Sequence, residues 1–155
     1  MANRDSFTSN EWLLLRDTPF LTGLVVVTSD PSGPIGVLKE AAAVTGMILK
    51  HMDGYSSELL RALSEDLHKN FHMPGLESKA PEWIRATGLN SCRDAIKLIK
   101  EKGSMQEAAE YRAWLVALSE GVAHASKEGG FLGIGGIRVS DHEQQALQDI
   151  KTALA

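Results

Sequence analysis

Apolar residues recur along this chain at intervals of three and four, and each such run follows a polar boundary. Thr8-x-x-Glu11 reads as a capping box ahead of Trp12-Leu13-Leu14-Leu15, so a first short helix is expected from about Ser9. Thr18-Pro19 predicts a restart, with Thr18 as cap and Pro19 at the first helical position. Phe20, Leu21, Leu24, Val25 and Thr28 then make a broad apolar face at helical spacing. The three valines 25–27 would also suit a strand, but no other segment alternates at period two to pair with them.

Ser29-Asp30-Pro31-Ser32-Gly33-Pro34 is a dense turn signal. Pro34 to about Met52 reads as a second long helix, apolar nearly all round and therefore central, with Asp53-Gly54 as its terminator. Ser56 is expected to cap an amphipathic helix with Leu60, Leu63, Leu67 and Phe71 on one side and Glu58, Arg61, Glu65 and Lys69 on the other. His72 to Gly75 ends it. Pro81 opens a segment with Trp83 and Ile84 that Gly88 interrupts, and Ser91-x-x-Asp94 caps a new helix up to Gly103. Ser104-x-x-Glu107 caps the next, through Tyr111, Trp114, Leu115, Leu118 and Val122, and Ser140-x-x-Glu143 caps the last. The expected fold is all-α: a single domain, residues 1–155, of about six or seven bundled helices, with the polar first eight residues flexible.

Composition narrows the function classes. At 155 residues the chain can bury a core without staples, and a net charge of −4 with scattered basic residues leaves no footprint for nucleic acid or anionic lipid. Lys97, Lys100 and Lys102 cluster around Glu101, as a solvated helix end does. The longest apolar run, Phe20 to Val27, is too short to span a bilayer. A single cysteine, Cys92, excludes an intrachain disulfide, and with a polar start lacking an apolar leader it favours the cytoplasm.

Two turns look alike. Ser29, Gly33, Ile35 and Gly36 fall at the same spacing as Ser126, Gly130, Leu132 and Gly133, each set between two helices. Duplication, giving two pseudo-symmetric helix–glycine turn–helix hairpins, and convergent turn chemistry both account for this. The run A-S-K-E-G-G-F-L-G-I-G-G-x-x-V-S-x-x-E from Ala125 resembles the tail of a family of small uncharacterised bacterial helical proteins, which implies a fold and no activity. The apolar helix, Asp/Gly turn and following glutamate are also similar, distantly, to tellurite-resistance TerB-like helical domains. That resemblance implies a stress-associated module. The chain departs from the TerB-like pattern in having Asp30-Pro31-Ser32-Gly33 once and Lys127-Glu128-Gly129-Gly130 the second time, which sets aside an inherited metal site.

Candidate chemistry centres on these turns. Gly129 and Gly130 begin a run G-G-x-x-G-x-G-G that exposes backbone N–H groups, but its spacing is neither a dinucleotide fingerprint nor a P-loop. Phe131 and Leu132, interleaved with the glycines, point instead to a loop packed on the bundle or facing a partner. Asp30, Glu40, Glu128, Asp141 and Glu143 would converge if the hairpins abut, as a hard divalent cation requires, yet Glu143 is already committed to its capping box. His124 lies beside the same turn. His68 and His72 stand four apart on one helix face, and Cys92 follows a would-be cap that could activate its thiol. Ser126 and Lys127 are adjacent, so their side chains diverge and no nucleophile–base set is assembled. No cofactor is expected. Two readings follow: a non-enzymatic scaffold or binding module working through a protein partner or as a homodimer, and a ligand- or metal-binding protein, enzymatic in one version, with its site around Ser29, Asp30, Glu40, His124, Ser126, Lys127, Glu128, Gly129, Gly130, Phe131 and Leu132.

Overall fold

The computed structural model describes residues 1–29, 44–52, 54–71, 75, 79–128 and 139–155, the side chains of 126–128 excepted. Among these the chain is all-α. Helix α1 spans Ser9–Val27, helical residues 44–50 belong to α2, and α3 (Glu58–Lys69), α4 (Pro81–Lys102), α5 (Met105–Glu128) and α6 (Asp141–Ala153) follow. They close around one buried cluster drawn from every helix, with Leu15, Ile48, Leu59, Leu63, Ile99, Trp114, Leu118 and Ile150 fully enclosed. The capping boxes at Thr8/Glu11, Ser104/Glu107 and Ser140/Glu143 form as the spacing predicts. Gly54 takes φ of +107°, the conformation its terminating role requires.

Three boundaries fall elsewhere. Thr18-Pro19 does not restart α1, which runs unbroken through Pro19. A proline inside a helix leaves the carbonyl four residues back without its N–H. Here that carbonyl is Leu15 O, and the Tyr111 hydroxyl of α5 donates to it at 2.9 Å in the buried core. Tertiary structure supplies the bond that the local sequence lacks.

Gly88 does not interrupt α4 either. A Cβ there would lie 2.5 Å from Val25 Cγ2 and 3.2 Å from Leu21 O, so the glycine lets α4 close on α1 backbone to side chain. Farther along the same contact Cys92 meets Thr22, and Lys102 pairs with Glu11 at 2.7 Å, which makes α1 and α4 antiparallel. Ser91 and Asp94 consequently sit inside a helix and cap nothing. The third shift is small: Ser57 caps α3 by accepting from Leu60 N, while Ser56 Oγ and Ser57 N both donate to the Glu110 carboxylate of α5.

The first eight residues carry structure of their own. Asn3 and Ser6 cap a short 3₁₀ turn, Arg4–Ser6, and Ala2 and Phe7 are buried. Ala2 N donates to Glu107 Oε1 at 2.9 Å, so the glutamate that closes the α5 capping box also holds the start of the chain. Its side chain is fully enclosed.

Candidate functional site

Of the residues the sequence singled out, few lie where their geometry can be described. Asp30, Glu40, Gly129, Gly130, Phe131 and Leu132 lie outside the described residues, as do the side chains of Ser126, Lys127 and Glu128. The repeat of the two glycine turns and the cleft between them fall there too. Ser29 is described: its backbone N–H donates to Val26 O at 3.2 Å and closes the C-terminal end of α1. His124 is exposed on α5. His68 is exposed as well, with Nδ1 2.7 Å from Ser64 O, and His72 is outside the described residues.

Cys92 is not at a helix start. It sits in the middle of α4, fully enclosed, with Sγ 3.4 Å from Thr22 Oγ1. Burial pushes its thiol up to about 11, outweighing the Thr22 hydrogen bond and the Arg93 charge. A thiol in that state is protonated at neutral pH and not a nucleophile. Among the described residues no three His, Cys, Asp or Glu side chains gather as a metal would need.

The structure does assemble groups that sequence spacing could not join. Trp12 Nε1 donates to Asp66 Oδ2 at 2.6 Å, Arg16 Nε lies 3.4 Å from the same oxygen, and Asn70 Nδ2 donates to Oδ1 at 2.8 Å. Arg16 also donates to Asn70 O, and Arg4 stacks 5.2 Å over the Trp12 ring. Burial would raise the Asp66 carboxyl, but the Asn70 and Trp12 hydrogen bonds and the Arg16 charge hold it below its usual range. A cleft of about 270 Å³ opens beside this network, lined by Arg4, Trp12, Glu65, Asp66, Lys69 and Asn70. Its best-placed donors and acceptors are already satisfied by one another, so the network ties α1, α3 and the 3₁₀ turn together. The sequence hint was Arg16, a cation inside an apolar helix. Nothing local pointed to a partner 50 residues away.

A second juxtaposition involves Met47 and His51. A Cβ added at Gly121 of α5 would lie 2.9 Å from His51 Nε2 and 3.3 Å from Met47 Sδ. The histidine facing α5 is therefore His51, which carried no sequence signal because its only distinguishing feature is the bare backbone it meets.

Large apolar side chains also remain open to solvent. Trp83, on the first turn of α4, is 41% exposed, with Lys79 Nζ 5.1 Å from its ring; Leu13, Phe71 and Met105 are exposed as well. No described helix is long and apolar enough to cross a membrane. Compared with known proteins, the chain matches no family model, no curated protein and no solved structure.

Proposed function

We propose that this chain is a helical binding module that acts through a protein partner or by self-association rather than by catalysis. The observation that supports it is the open indole of Trp83 in a molecule whose Cys92, Glu107 and Asp66 are taken up by the fold. A rigid, half-exposed tryptophan with a cation beside it is the kind of group that anchors protein interfaces. Phe131 and Leu132, apolar residues interleaved with glycines in the sequence, are the second pair this reading assigns to a partner. The resemblance to TerB-like domains makes the module stress-associated, and the single reduced thiol suits the cytoplasm.

Light scattering coupled to size exclusion tests the reading, on wild type, Trp83→Ser and the Phe131→Ser/Leu132→Ser double variant. Mass above the 16.8 kDa monomer, or a partner recovered by affinity capture, should appear with wild type and decline in the variants. A monomeric wild type that captures nothing the variants fail to capture would sink it.

A further inference from the structure

We propose that the cleft between the turn after α2 and helix α3 binds a small aliphatic α-amino acid, its carboxylate on Arg61 and its ammonium on Glu65. The cleft holds about 230 Å³, and Met52 and Leu60, both buried, make its apolar lining. Tyr55, Arg61, Ser64 and Glu65 supply the polar groups around it. Arg61 and Glu65 stand four apart on α3 and so leave it on one face. Both signs of charge therefore border one small space beside an apolar surface. A zwitterion with a hydrocarbon side chain presents the complement of that pattern.

Neither charge is spent on the fold. Arg61 makes no hydrogen bond or ion pair among the described residues, so its planar fork is open to a carboxylate. Glu65 pairs with Lys69 at 3.7 Å, both side chains 73% exposed, and a surface pair of that kind holds little energy. The Ser64 hydroxyl lies 3.4 Å from His68 Nδ1, a nitrogen already 2.7 Å from Ser64 O, and so keeps a proton to offer a ligand. Burial, and after it the Glu110 carboxylate, push the Tyr55 phenol above its usual range, so it remains a donor. A plain carboxylate would meet Glu65 and a plain amine would meet Arg61, so the lining selects a ligand that carries both charges. The cleft shares no residue with the docking surface at Trp83.

The test is a titration of the isotope-labelled full chain with L-valine, L-leucine and L-methionine, followed by amide NMR spectra. At least one of the three should shift the amides of Tyr55, Arg61, Ser64 and Glu65 saturably. Arg61→Gln and Glu65→Gln should each weaken that binding at least about tenfold, the loss expected of one charge-assisted hydrogen bond. On wild type, the matched carboxylate lacking the amino group and the matched amine lacking the carboxyl should be weaker by a similar factor. Lys69→Gln, which removes only the surface partner of Glu65, should bind no worse than wild type. Arg61, Glu65 and Lys69 are exposed, so the variants keep the fold, which far-UV circular dichroism checks; the two analogues decide on wild type without any variant. No saturable shift with any of the three amino acids, unchanged binding in Arg61→Gln or Glu65→Gln, an equal loss in Lys69→Gln, or an analogue that binds as tightly as its parent each overturns the proposal.

Discussion

Leu15 O shows how one residue's chemistry is answered by another 96 positions away. Pro19 deprives this carbonyl of its helical partner, and the Tyr111 hydroxyl replaces it. Tyr111→Phe should therefore destabilise the protein by about 1–3 kcal/mol, the cost of leaving a buried acceptor unsatisfied, as read from urea unfolding. In a Pro19→Ala background residue 19 regains an N–H, so the same Tyr111→Phe change should cost clearly less. Equal costs in the two backgrounds would show that the hydroxyl does not act as the missing donor. Cys92 gives a second residue-scale expectation. Its buried, protonated thiol should resist a disulfide reagent under native conditions and react stoichiometrically in denaturant. Rapid native labelling would contradict its place in the core.

At the scale of elements, the helices are held by caps at their ends and by close contacts along their flanks. Glu107 combines both roles, accepting from Ser104 at the start of α5 and from Ala2 N of the leading segment. Glu107→Ala should cost more than loss of an ordinary cap, which is about 1 kcal/mol, because a buried backbone donor is orphaned as well. Hydrogen exchange should then report faster exchange at residues 2–7 together with the first turn of α5. Exchange confined to α5 would show that the leading segment is held by its other contacts, Phe7 in the core and Arg4 over Trp12, without the Glu107 bond. The α1–α4 contact is equally local in origin. Gly88→Ala would press a methyl on Val25 and on the Leu21 carbonyl, with a loss of about 1–3 kcal/mol in thermal or urea melts. A propensity view predicts the reverse, since alanine favours helix over glycine.

The whole molecule integrates its ionisable groups into a pH profile. The Asp66, Glu110 and Asp149 carboxyls are held below their usual range, chiefly by hydrogen bonds that outweigh burial. A carboxyl depressed in the folded state adds stability above its unfolded value and loses it as pH falls through the folded one, so stability should decline below about pH 4. Cys92 and Tyr111 behave oppositely. Burial raises both, so their stabilising effect is complete below the unfolded values and fades as pH rises past about 9. Denaturant midpoints measured from pH 3 to 11 should form a plateau with two falling limbs. Tyr111→Phe should flatten the alkaline limb, and an unaltered limb would assign it to other groups.

Read alone, the sequence determined the fold class, because apolar spacing and the Ser/Thr-x-x-Glu boxes are local signals that a single helix satisfies by itself. Thr8, Ser104 and Ser140 cap as expected for that reason. Continuity was not local. Pro19 and Gly88 are breakers by propensity, and each is retained inside a helix by a neighbour, Tyr111 in one case and the Leu21–Val25 surface in the other. The candidate chemistry divides in the same way. Cys92 looked activated while it was placed at a helix start, and α4 running through it made it a core thiol. The Asp66 network left no mark beyond Arg16, and the contact of Met47 and His51 with Gly121 left none, since the partners lie on helices brought together only by packing. Which side chains meet is decided by the bundle, and a spacing rule reaches no farther than one turn.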